Sequence, residues 1–253
     1  MCSILRFLGV FVLVGIAFPA NAQVKPAPSR PQFRPAVLGT SSDSLINRID
    51  SKELLKKGQK DGAVMFCALV APNGDALSAW TYRPMPGTEA LQEELEKRLV
   101  GVKFTSPIYQ YQPVSVLLYG TAVFSASNEH HIQILLNQDP AELKTASDFI
   151  APQPVIGGDS KFHGLTPPET GTTVSLTAVV DLGLKVNRQG ELQELHVLAE
   201  EPPLLGFAAA AEADFREAKF IPAFRLGDPE DSDIIQPICY KPAEPAESDE
   251  PAE

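Results

Sequence analysis

Basic residues, histidine, cysteine and tryptophan are all scarce in this chain. Lys and Arg number 21 against 32 Asp and Glu, a formal charge of -11 at pH 7. Phosphate backbones and anionic headgroups are gripped by clustered Lys and Arg. The balance therefore excludes nucleic acid and disfavours anionic lipid surfaces. Histidine occurs four times. His130-His131 is the only cluster, with Glu129 alone nearby, short of the three or four ligands a metal site needs. It reads as a polar loop, His163 as a loop residue, and His196 as part of a sheet face. There is no Gly-rich phosphate loop before a helix, no Gly-x-Ser-x-Gly elbow, no CxxC pair and no His-Glu-x-x-His. The expectation is a protein that is not an enzyme, with no catalytic residue, no metal and no cofactor.

A hydrophobic run of bilayer-spanning length is also missing. Phe7 to Phe18 is apolar for about 12 residues, the length of a signal-peptide core, with Arg6 before it and Pro19 after it. Ala20-Asn21-Ala22 then offers a small-x-small cleavage site. Residues 1–22 are read as a signal peptide, cleaved after Ala22, and the mature protein as periplasmic with no stable membrane span. Cleavage leaves Cys67 and Cys239, both in apolar runs and in different halves. They read as separate core thiols, although an oxidising compartment also permits a bridge. The other end, Ala243 to Glu253, alternates Pro, Ala and acid, and reads as a disordered acidic tail.

What is present is a faint internal repeat. A shift of 116 residues lays Asn73-Gly74-Asp75 on Gln189-Gly190-Glu191 and Lys103-Phe104 on Lys219-Phe220. Gly74 precedes Phe104 by 30 residues, and Gly190 precedes Phe220 by the same interval. The first copy reads as a strand from Val64 to Val70, a Gly turn, a strand from Ala76 to Tyr82, a helix and a closing strand from Val114 to Phe124. Thr88 is the candidate helix cap, and Leu91, Leu95 and Leu99 form its apolar stripe. The second reads as a strand from Thr172 to Val186, a turn at Gly190 and a strand from Leu192 to Leu198. An alanine-rich helix follows from Gly206 to Ala218, and a last strand from Ile234 to Tyr240. Phe207, Ala211 and Phe215 give that helix its stripe. Phe220 and Phe224 flank Pro222, which cannot continue a helix and so fixes the exit of the chain.

One helix on a small antiparallel sheet is a compact α+β layer. The predicted fold is α+β: two small domains, each of about three antiparallel strands packed on one helix. The predicted order is a Pro-rich linker at 23–44, a first domain at 45–125 and a linker with a short helix at 126–154. The second domain follows at 155–242, and the tail at 243–253.

"GELQELHVLAEEPPLLGFAAAAEADFREAKFIPAFRLGDP" resembles the C-terminal domain of the TonB family of periplasmic energy transducers. The shared features are two strands about a Gly turn, an alanine-rich helix with an aromatic, the step Phe220-Ile221-Pro222-Ala223, a turn at Gly227 and a closing strand. "LLKKGQKDGAVMFCALVAPNGDA" is similar to the family's opening, and the first copy departs at Ser106-Pro107. A transducer would also bring an uncleaved membrane helix and a long Pro-rich spacer. Here the apolar run is short and "VKPAPSRPQFRPAV" is brief, so the expectation is a soluble tandem of such domains.

The resemblance implies a protein-binding module that takes an extended segment by strand addition. The partners implied are envelope proteins or outer-membrane receptor segments. The candidate edges are Val114, Val116 and Leu118 in one copy and Ile234, Gln236, Ile238 and Tyr240 in the other. The alternative is a periplasmic scaffold or self-associating structural protein, in which these edges pair with each other or form a homodimer.

Overall fold

The computed structural model describes residues 30–128, 130–145, 148–168 and 176–241. The expected signal peptide at 1–22, residues 23–29, the start of the strand expected from Thr172 and the expected tail at 243–253 lie outside them.

The chain opens with β1 (Phe33–Arg34), α1 (Leu45–Arg48) and α2 (Ser51–Lys56). A hairpin of β2 (Gly62–Val70) and β3 (Ala76–Tyr82) leads to α3 (Glu89–Leu99). Short β4 (Ile108–Tyr109) and β5 (Gln112–Pro113) precede β6 (Ser115–Phe124). Then come β7 (Ile132–Leu135), α4 (Pro140–Thr145) and β8 (Gln153–Ile156). The second half has β9 (Ala178–Val186), β10 (Leu192–Glu201) and α5 (Phe207–Phe215). It closes with β11 (Phe220–Ile221), β12 (Ala223–Arg225), β13 (Asp228–Glu230) and β14 (Ser232–Tyr240). The architecture is mixed α+β, with antiparallel sheets and few helices.

Local chemistry explains the two main hairpins. Asn73 Oδ1 accepts from the Asp75 N–H at 3.1 Å, and Asn187 Oδ1 from the Gln189 N–H at 3.0 Å. These Asx turns reverse the chain. The predicted stripes are buried: Leu91, Leu95 and Leu99 on α3, and Phe207, Ala211 and Phe215 on α5. Thr88 precedes α3 but does not cap it, because its hydroxyl donates to the Met85 carbonyl at 2.6 Å.

The repeat has a physical basis at two corners. The Phe104 N–H donates to the Gly74 carbonyl at 2.8 Å, and the Phe220 N–H to the Gly190 carbonyl at 2.9 Å. Both glycines have positive φ, 91° and 78°. A Cβ there would stand 2.2 Å from the Phe104 carbonyl oxygen or 1.9 Å from that of Phe220. Only glycine fits either place. Phe220 is buried between Phe215 on one side and β8 on the other, and Pro222 separates β11 from β12. Gly227 lies in the turn between β12 and β13.

The larger sheet runs β11-β8-β6-β2-β3, with β7 also paired to β6; a second sheet runs β10-β9-β14. The segment 126–154 is not a spacer between two domains. It supplies β7 and part of β8 to the larger sheet, and β8 carries β11 from the second half. Residues 30–44 are not a free linker either. Gln153 grips Ala36 through both its amide groups at 2.8 Å, and β1 pairs with β4.

The cause lies in β2. Val64, Phe66, Ala68 and Val70 point one way, and Met65, Cys67 and Leu69 point the other, so both faces are apolar. A sheet apolar on both faces must be covered on both. The first set packs with α3, in a cluster that also takes Ile221 and Phe224 from the second half. Cys67, Tyr82, Leu117 and Tyr119 join Phe207, Phe215 and Tyr240 in another cluster. Cys67 and Cys239 are free and buried, and they share that second core instead of lying in separate ones.

Candidate functional site: the sheet edges

Strand addition needs a backbone edge with unpaired N–H and C=O groups. In β6, Val116 pairs with Val70 on one side and Val155 on the other. Thr121 to Phe124 are covered by β7, and the Gly120 carbonyl accepts from Gln138 Nε2 at 2.9 Å. The Val114 N–H is bonded to the Pro107 carbonyl, and Leu118 pairs with Ala68 and is buried. This strand is interior, so Val114, Val116 and Leu118 do not form an acceptor edge. The neighbours that cover it come from 126–156, which the sequence pattern left as a linker and lead-in.

Strand β14 ends its sheet, but the outer side is occupied. The Ile235 N–H donates to Asp139 Oδ2 at 2.8 Å. Pro237 has no N–H to offer, and its carbonyl accepts from the Tyr82 hydroxyl at 3.1 Å. Ile234, Gln236, Ile238 and Tyr240 all face inward and are buried. Gln236 Nε2 donates to Gln138 Oε1 at 2.9 Å, and the Tyr82 hydroxyl donates to the same oxygen at 2.5 Å. These residues fasten the last strand to the first half.

Among the described residues, the open edge is on β10. The alternation of an antiparallel ladder shows which groups it presents. Ile235 sits opposite Gly183 and turns its N–H outward to Asp139. Gly183 therefore turns its own groups toward β10, where it faces His196. Leu195 and Val197 are then left with backbone groups pointing away from the sheet. Val197 is 37% and Leu198 54% exposed, high values for apolar residues in a sheet. Leu198 lies across Gly183, about 3.6 Å from where a Cβ would stand. It helps to line a groove of ≈ 370 Å³ with His196, Lys185 and Ile235.

Carboxylates mark this edge. Glu191 precedes β10, and Glu194 and Glu201 lie on it. Glu194 bonds Lys185 Nζ at 2.9 Å, and that ammonium holds its carboxyl below the usual range. The Glu200 carboxylate is engaged at the start of α5, accepting from the Phe207 N–H at 2.8 Å. Irregular pairing at Leu192/Glu194 and Val197/Ala199 gives the strand two bulges. Bulges and charge both discourage unselective edge pairing.

The alternating pattern from Leu192 to Leu198 marked β10 as a strand and gave no sign that it is the uncovered one. The paired apolar Val197-Leu198 was the available signal. Among the histidines, His131 stacks on Phe124 and contacts the Ser125 carbonyl, and His196 lies 3.6 Å from Glu194. No described helix is long and apolar enough to cross a membrane. No protein-family model, curated protein or solved structure matches this chain.

Proposed function

We propose that this chain is an exported, periplasmic protein-binding module of two TonB C-terminal-like halves. It takes an extended segment of an envelope or outer-membrane transport protein as an added strand on β10. The observation that carries the reading is the outward backbone of Leu195 and Val197, uncovered among the described residues, beside the groove at Leu198. Main-chain hydrogen bonds would supply affinity, and the groove would select a side chain. Glu191, Glu194 and Glu201 favour a segment that carries Lys or Arg. They disfavour a second copy of the same edge, because like charges opposed across strands repel.

The test is Val197→Pro against Val197→Ala. Proline removes the outward N–H, and alanine keeps it. With melting temperatures matched, the proline variant should lose envelope partners that the native and alanine proteins capture. Unchanged capture by Val197→Pro would refute the edge. Receptors with plugged barrels among the lost partners support transport, and soluble proteins alone would overturn that part and leave a scaffold. N-terminal sequencing of the mature protein should begin at Gln23; a start at Met1 would refute cleavage.

A further inference from the structure

A second concavity lies away from β10, at the junction of the halves. Leu69, Trp80 and Leu117 of the larger sheet form its floor, with Ile156 of β8 beside them. The loop at Leu165 and the end of β14 form its walls. It encloses ≈ 390 Å³, within the range of roughly 300–1,000 Å³ usual for small-molecule sites. It is the cleft between the apolar back of the larger sheet and the second half, which do not close completely at this end.

The polar lining has one sign. Among the described residues, no acid lines this cleft. The one fixed charge among its described lining residues is Lys241, whose ammonium lies 5.3 Å from the centre of the Trp80 ring. Lys241 has no acidic partner among the described residues. His163, Ser78 and Ser115 add hydrogen-bonding groups around the cleft. An apolar floor with one unpaired cation suits a ligand with an apolar body and one anionic end. We infer that this cleft binds an unbranched apolar monocarboxylate, with its chain on Leu69, Leu117 and Ile156 and its carboxylate at Lys241.

Trp80 is the single tryptophan of the chain, so its fluorescence reports on the cleft directly. Mature protein is titrated with octanoate, decanoate and dodecanoate below their micelle concentrations, and with dodecyltrimethylammonium as the opposite charge. The carboxylates should give a saturable change in emission, and each added methylene should tighten binding about fourfold until the cleft is full. Lys241→Glu, at an exposed position, should weaken dodecanoate at least about tenfold without lowering the melting temperature. It should leave dodecyltrimethylammonium unchanged or tighter. No saturable change with any carboxylate overturns the inference. So does equal affinity for both head groups, or an unchanged dodecanoate affinity in Lys241→Glu. Val197→Pro should leave this titration unaffected, which separates it from the test of the β10 edge.

Discussion

Single residues carry a pH dependence. Cys67, Cys239, Tyr82, Tyr119 and Tyr240 are all buried, and burial pushes each of their pKa values up, that of Cys239 to about 11. A group raised in this way keeps its proton in the folded state where the unfolded chain has already lost it. Its contribution is complete below the unfolded value, near 9.0 for the thiols and 10.0 for the phenols, and is lost as pH rises further. Cys239 alone should withdraw roughly 2–3 kcal/mol by the time pH passes its folded value. Denaturant melts should therefore show stability falling steadily above pH 9. A flat profile from pH 8 to 11 would contradict this burial. The burial of the two cysteines was legible from their apolar runs, but not that they share a core, since they stand 172 positions apart.

At the scale of elements, the corner at Gly190 and Phe220 can be tested against its counterpart at Gly74 and Phe104. Alanine at Gly190 or Gly74 should cost about 1–3 kcal/mol from backbone strain alone, and more from collision with the facing carbonyl. Either variant should melt lower than Gly157→Ala, where a Cβ meets nothing within 4 Å although φ is also positive. Equal melting of Gly157→Ala and Gly190→Ala would dismiss the close approach as the cause. The common interval of 30 residues was legible in the sequence, because the turn glycine and the phenylalanine bond each other in both halves. Although the cap read at Thr88 was not formed, hairpins and helices were legible, because their turns and stripes are written within a few residues. Edge status was not. Whether β6 has a free side depends on β7 and β8, short strands with weak patterns that pair with it from outside its own hairpin.

Across the whole molecule the two halves are packed together. Arg83 grips Asp181 with two bonds of 2.6 and 3.1 Å across the halves, and Gln138 ties Tyr82 to Gln236. Both hydrophobic clusters draw on both halves. Calorimetry of the protein should show a single transition, with calorimetric and van't Hoff enthalpies equal. Arg83→Ala should lower that one transition by about 1–3 kcal/mol, because it leaves the partly buried Asp181 carboxylate unpaired. Two resolved transitions, with only one shifted, would mean that the halves fold independently.

By itself the sequence determined the acidic balance, the two strand-strand-helix-strand patterns and the glycine-phenylalanine corners. The first two depend on composition or on residues close along the chain, and the corners show through because their 30-residue interval occurs twice. Tertiary structure alone decided that Cys67 and Cys239 share a core, that 30–44 and 126–154 are built into the fold, and that β10 is the open edge. The physical reason is the two-faced apolar character of β2 and β6. α3 can cover only one side of their sheet, so the second half covers the other. The edges, the cleft and the bonds between the halves follow from that closure.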